Sequence, residues 1–322
     1  MTSAAQPKPN PGRHSVGLPE IRMSVVRESV RAPAKVNLYL RIRGRRLDGY
    51  HLIDSVIAPI SLCDDLHIAV RSLPERGARS LITVRCTSAE LPHDARNLAY
   101  RAADAFMSAA NRCAAVDIEI HKRIPIGSGL GGGSSDAAAV LLTLNRIFGR
   151  PLLDGQLADV GAAIGADVPF FIHGRPAQVA GIGDAIVPIR LGPTLNLVVC
   201  SDGFSLSTGL VYSLVRVPAL SLTTDSAVSN IATFVEGRKP FTDLLVNDLE
   251  EAAAQIHPEV LSLKARVMAE GAHAALMTGS GSAVFGVWAG PRSAADAAMR
   301  LRSQGLWAEA VETLELSPAL GN

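Results

Sequence analysis

The sequence predicts an α+β protein in two domains, and three observations lead there. The chain has 322 residues, enough for about two hydrophobic cores. Its second half reads strand, helix, strand, strand, helix, strand, the order of an antiparallel sheet with helices on one face. Its first half carries a glycine loop, over 124–133, delivered by a strand and running straight into an alanine- and leucine-rich helix.

From the start of the chain, residues 1–30 are rich in Pro, Ser, Arg and small residues. They have neither the apolar segment of a signal peptide nor a membrane-length apolar run, so a disordered tail is expected, with Met23 as an alternative start. Over 34–43 the apolar Val36, Leu38, Leu40 and Ile42 alternate with Lys35, Asn37, Tyr39 and Arg41, the period of a half-buried strand. Lys35 and Asn37 therefore share one face, which is either a solvated strand face or one wall of a site. A basic turn over 44–49 follows, and Tyr50 and His51 open a second extended run to Ile60. Another strand pair is expected over 66–84, split at Pro74-Glu75-Arg76-Gly77. A helix is expected over 97–110 and a strand over 116–120.

The glycine loop holds Gly127, Gly129, Gly131, Gly132 and Gly133, whose backbone can take positive φ and approach a ligand closely. Ser134, Ser135 and Asp136 follow as candidate caps, and the helix runs on to a stop at Gly149. Free N–H groups at the positive end of a helix suit a phosphate. A plain tight turn needs fewer glycines. The G-x-G-x-x-G spacing at Gly127, Gly129 and Gly132 imitates a dinucleotide unit, but only Pro151, Leu152 and Leu153 separate the helix end from Asp154, too few for the strand that should carry the acid. The Walker pattern also fails, because Gly133 stands where its lysine belongs. A phosphate loop without a lysine of its own must take positive charge from elsewhere.

Beyond the loop, a helix is expected over 157–164, ended by a sharp turn over 165–171. Within it Asp167 is flanked by apolar residues; it is either a turn cap or a carboxylate tuned by burial or by a nearby lysine. A strand pair over 177–189 closes the first domain. The second begins with a strand over 195–200 and a short helix over 208–215 bearing Tyr212. Two helices follow over 244–269, broken at His257-Pro258, then two strands over 274–287 around Met277-Thr278-Gly279-Ser280-Gly281-Ser282. A helix over 293–304 and a strand over 308–316 complete it.

Thirty-one basic against 30 acidic residues give a net charge of +1 and no footprint for nucleic acid or an anionic membrane. Cys63, Cys86, Cys113 and Cys200 are scattered, with no C-x-x-C pair and no histidine at ligand spacing. Neither a zinc site nor a disulfide framework is indicated, and a reducing cytoplasm fits.

Three separated stretches together resemble the GHMP kinase superfamily: Pro33-Ala34-Lys35-Val36-Asn37-Leu38, the loop from Pro125 to Ala138, and Met277 to Ser282. Asp48-Gly49-Tyr50-His51, Gly165-Ala166-Asp167-Val168-Pro169 and Val246-Asn247-Asp248-Leu249 look like the branch that phosphorylates a diphosphocytidyl sugar alcohol for isoprenoid precursors. The resemblance spans about 31–316 and implies a two-domain GHMP kinase fold. Its N-terminal domain, over 31–190, would be like domain 2 of ribosomal protein S5, and its C-terminal domain, over 191–318, ferredoxin-like. It implies ATP on Pro125, Gly127, Gly129, Leu130, Gly131, Gly132, Gly133, Ser134 and Ser135, with adenosine near Asn97, Lys122 and Asp65, and Mg²⁺ held mainly through the ATP phosphates. Lys35 and Asp167 would be catalytic, the aspartate as base and the lysine as the missing positive charge. Asn37 would bind beside them, Tyr50 and Tyr212 would sandwich a cytosine whose edge His51 reads, and Gly279, Ser280 and Gly281 would support the loop. Nucleic acid and membranes are not expected partners. A mevalonate- or homoserine-kinase-like enzyme would share the loop but not the tyrosine and histidine pair.

Overall fold

The computed structural model describes residues 25–73, 79–216 and 241–321, so most of the expected tail, with Met23, and the Pro74-Glu75-Arg76-Gly77 turn lie outside the described residues. Strands β1 (Val25–Arg45) and β2 (His51–Ser72) form a long antiparallel hairpin from Val25↔Arg71 to Arg45↔His51, closed where Arg46 N donates to Tyr50 O. Both strands exceed their expected lengths. Residues 25–30, assigned above to the tail, pair with the end of β2, because Val30 packs into the core opposite Leu66.

The expected pairing over 66–84 is corrected as well. Residues 66–72 continue β2, and β3 (Leu81–Cys86) runs parallel to β4 (Ala114–His121) instead of pairing back. The physical reason is competition for an edge: β4 already occupies that side of β2, from Asp65↔His121 to Ser72↔Ala114. A pattern of apolar residues records that a run is extended, and not which run it meets. The first half of β2 carries β5 (Ala177–Gly181), whose hairpin partner is β6 (Ala185–Pro188).

The inner face of this sheet is covered by helices. α1 (Leu98–Ala109) starts at Asn97, whose Oδ1 accepts from Ala99 N at 2.9 Å, a cap worth about 1 kcal/mol. α2 (Gly132–Ile147) is buried along most of its length, and its alanines let it lie close to Ile118 and Phe106 in one core. It ends at the expected stop, Gly149, at φ +77°. α3 (Asp154–Ala162) is followed by α4 (Val168–His173), a short helix where a turn was expected. Pro169 is tolerated there because the first helical turn needs no N–H donor, and Phe170 and Phe171 bury into the core.

The second sheet is antiparallel in the order β11 (Trp307–Glu312), β7 (Asn196–Ser201), β10 (Val284–Trp288), β9 (Ala274–Met277). Its strands alternate between two cores. Val198, Cys200 and Val284 face α7 (Glu259–Ala269) and α8 (Pro291–Ser303), with α6 (Glu250–Ile256) alongside. Leu197, Val199 and Phe285 face Val36 and Leu38 of β1. The break at His257-Pro258 falls between α6 and α7 as expected. β8 (Val246–Asn247) returns to the first sheet and pairs parallel to β1 at Tyr39↔Val246. The two halves are thus joined by a shared core and a shared strand pairing. α5 (Thr208–Leu214) follows β7 and carries Tyr212.

Candidate active site

β1 is irregular where the chemistry begins. Its pairing with β2 slips between Pro33 and Lys35 and again between Asn37 and Tyr39, so Lys35 and Asn37 stand between two bulges, which re-aim side chains. Neither lies on a solvated strand face: Lys35 is 4% and Asn37 3% exposed. Lys35 Nζ donates to Asn37 Oδ1 at 2.5 Å and lies 3.9 Å from Asp167 Oδ2. Asn37 is fixed in that orientation by donating Nδ2 to Ser55 Oγ and its backbone N–H to Thr278 Oγ1.

The glycine loop is wedged between elements that leave no room for side chains. A Cβ on Gly129, at φ +80°, would stand 2.4 Å from Thr278 O. One on Gly131, at φ +75°, would meet Phe171 at 2.9 Å and Lys35 Cγ at 3.1 Å. The loop is tied down where Lys35 N donates to Leu130 O and Ala283 N donates to Ser128 O. Gly131 is the N-cap of α2, with no side-chain cap, so the helix's leading N–H groups remain available to a ligand. Ser134, Ser135 and Asp136 do not cap the helix, as they were expected to, because the helix has already begun at Gly132 and they sit inside its first turns.

Asp167 occupies the residue before α4 and makes no side-chain cap bond, which removes the turn-cap reading. Its carboxylate is 42% exposed and opens onto a cavity of about 880 Å³, large for a single small-molecule site. Every expected site residue lines this cavity except Leu130 and Ser135, which are buried, and Asp65, whose carboxylate lies 3.9 Å from Arg31 Nε instead. The loop, Asn97, Lys122, Lys35, Asp167 and Gly279 line it together with Tyr50, His51 and Tyr212. The His51 and Tyr212 rings are 5.2 Å apart and tilted by 47°.

Burial pulls the Lys35 pKa below the usual lysine value, and Asp167 offsets part of that fall. Burial, with Arg45 nearby, lowers the His51 pKa, so its imidazole is neutral at pH 7 and offers one donor and one acceptor. Burial, with Asp167 adding to it, pushes the Tyr212 phenol up to about 12.

Asn97 and Lys122 line the cavity and also serve the fold. Asn97 spends its side chain on structure, as the α1 cap and as donor to Pro92 O. Lys122 Nζ bonds Asp64 Oδ2 at 2.5 Å and Asp136 Oδ2 at 2.8 Å. Burial alone would lower the Lys122 pKa, but the two carboxylates outweigh it and raise it. Asp64 also accepts the backbone N–H groups of Arg123 and Ile124. Sequence reading missed Asp64 and Asp136 as a pair; the available signal was an acid inside an apolar strand and another inside a buried helix. Asp136 Oδ1 and Ser135 Oγ are buried without partners. Burial, with Asp64 adding and Lys122 opposing, lifts the Asp136 carboxyl to about 7.

Comparison with known proteins identifies the family. The family described as GHMP kinases N terminal domain matches residues 97–175, and GHMP kinases C terminal matches residues 230–305. The chain is 39% identical over 284 residues to the 4-diphosphocytidyl-2-C-methyl-D-erythritol kinase of Geobacter sp. (strain M21), covering 88% of this chain and 98% of that protein. It is similar to a crystal structure of 4-(cytidine 5'-diphospho)-2C-methyl-D-erythritol kinase, with TM-score 0.72 and 38% identity over 89% of this chain and 99% of the other. Homoserine kinase from Cytophaga hutchinsonii shares the fold at TM-score 0.68 and 16% identity, over 91% and 96% of the two chains. The two family matches and this identity along nearly the whole relative together establish that the chain belongs to the GHMP kinases, which are small-molecule kinases, and within them to the 4-diphosphocytidyl-2-C-methyl-D-erythritol kinase family.

Proposed function

We propose that the protein transfers the γ-phosphoryl group of ATP to the 2-hydroxyl of 4-diphosphocytidyl-2-C-methyl-D-erythritol, a step of the non-mevalonate route to isoprenoid precursors. The observation that carries this reading is the Lys35 and Asp167 pair, which shares one cavity with a phosphate-accepting helix end and with the aromatic residues Tyr50, His51 and Tyr212. The triphosphate lies along Gly129 to Ser135, held by backbone N–H groups at the start of α2. The acceptor hydroxyl sits beside Asp167, which takes its proton as the oxygen bonds to the γ-phosphorus; the bond from that phosphorus to the ADP oxygen breaks and ADP leaves. Lys35, fixed by Asn37, offsets the negative charge on the transferred group.

Tyr50 and Tyr212 flank the cytosine, and neutral His51 reads its donor and acceptor edge. This pocket favours a cytidine substrate over mevalonate or homoserine, which have no base to stack. Mg²⁺, a hard cation that prefers oxygen ligands and keeps several waters, would be held mainly through the ATP phosphates, with the cavity-lining Ser134 hydroxyl as a protein oxygen at the start of α2. The cation would neutralise charge on the phosphates. No helix of the described residues is long and apolar enough to cross a membrane, and a cytoplasmic site of action accords with the substrates proposed. The test is ADP release with the diphosphocytidyl substrate, mevalonate and homoserine in parallel. Turnover confined to the first is expected, and turnover of either of the others alone would overturn the reading.

A further inference from the structure

The stretch Val246-Asn247-Asp248-Leu249 contributes no side chain to the steps above, yet it lies directly behind them. Asn247 is 7% exposed, and its amide is fully used. Nδ2 donates to Met277 O and to Gly279 O, each at 2.8 Å, and Oδ1 accepts from Leu249 N at 3.0 Å. One carbonyl it holds ends β9 and the other belongs to the loop that follows, and that loop abuts the catalytic lysine. A Cβ on Gly279, at φ +56°, would stand 3.0 Å from Lys35 Nζ, 3.1 Å from Gly129 O and 3.4 Å from Asn37 Oδ1. Asn247 in turn is placed by β8, which pairs with β1 at Leu40↔Asn247, five residues along the strand from Lys35 itself. One strand therefore carries the lysine and also anchors the residue that sets the wall against it.

Asp248 anchors the same strand in a different way. Its carboxylate accepts from Ile42 N and from Arg41, both at 2.8 Å, and neither bond touches the Gly279 loop. The neighbouring residues thus separate two roles: Asp248 fastens β8 to β1, and Asn247 reaches past the sheet to the loop.

We propose that Asn247 is a positioning residue for phosphoryl transfer: by donating to Met277 O and Gly279 O, it fixes the Gly279 backbone as the wall that confines Lys35 Nζ beside Asn37 and Asp167. Asparagine suits this task because one planar amide donates to two carbonyls and accepts one N–H at once. Aspartate has the same shape and no donor, and it would set a carboxylate against two carbonyl oxygens. The assignment rests on the phosphoryl-transfer reading given above.

The test compares Asn247→Asp with Asp248→Ala in the full chain, measuring melting temperature, kcat, both KM values and the titration of Lys35 by NMR. Asn247→Asp should lower kcat about 10- to 100-fold, the scale of a misplaced catalytic group, with the KM for the diphosphocytidyl substrate within about threefold of wild type. It should also move the Lys35 titration. Asp248→Ala should lower the melting temperature while leaving kcat within about twofold and the Lys35 titration in place. Unchanged kcat in Asn247→Asp, or an equal fall in both variants that tracks their loss of stability, would overturn the proposal. Should Asn247→Asp fail to fold, Gly279→Ala decides. It presses the same wall toward Lys35, so an unmoved Lys35 titration there would overturn the idea. The titration needs no substrate, so a failure of wild-type turnover would count against the functional reading and leave this one separately measurable.

Discussion

Lys35 Nζ lies 3.9 Å from Asp167 Oδ2, while its short bond goes to the neutral Asn37 Oδ1. The lysine is buried and the aspartate opens to the cavity, an asymmetry suited to a fixed cation beside a base that must meet an incoming hydroxyl.

Asp167→Asn keeps the size of the base and removes its proton affinity. Steady-state kinetics should record a kcat lower by about 10²–10⁴-fold with both substrates still bound. Lys35→Met should fall similarly, and the double variant should lose far less than the product of the single losses, because the two act as one unit. Near wild-type turnover in Asp167→Asn would assign the base to another group.

The Lys35 amine should titrate below the ordinary lysine value, since burial lowers it and Asp167 compensates only in part. Removing the carboxylate removes that compensation, so NMR titration of Asp167→Asn should place the Lys35 transition lower still. Identical transitions at the ordinary value in both proteins would contradict the geometry.

Asp136 provides a test on stability. Its carboxyl is raised from 3.8 to about 7, so the folded state binds more protons than the unfolded chain between those values. Stability contributed by this group therefore falls as pH rises through that window, and the cost persists above it. Thermal melts across that range should find Asp136→Asn gaining on wild type as pH rises. A constant difference would mean that Asp136 does not titrate there.

Gly131→Val should weaken ATP binding strongly. The position requires φ +75°, and a side chain would press on Phe171 and on the stem of Lys35. Backbone strain alone is about 1–3 kcal/mol, or roughly 5- to 150-fold in affinity if it falls on the bound loop. Calorimetry that returned the wild-type dissociation constant would make the loop a structural element only.

Tyr212→Ala should raise the KM for the cytidine substrate by roughly 5- to 150-fold, the range of about 1–3 kcal/mol for one stacked base, and leave that for ATP nearly unchanged. Tyr212 pairs with His51, so an effect confined to ATP would place the tyrosine at the wrong ligand.

Residues whose role is written in the backbone were legible in the sequence itself. Gly127, Gly129 and Gly131 all adopt positive φ, Asn97 opens α1, and Lys35 and Asn37 share a face, because φ restrictions, capping and strand period act within a few residues. Fold class and family followed from motifs of that local kind. Only the tertiary structure decided what each run would meet: β3 went to β4, residues 66–72 stayed in β2, and residues 165–171 closed into α4 once Phe170 and Phe171 found a core. It also decided that Lys122 is held by Asp64 and Asp136 and that Asn247 reaches Gly279, contacts between residues distant in the chain. Such pairings depend on which buried groups must satisfy one another when the chain closes, a condition set by the whole fold and written in no single stretch of it.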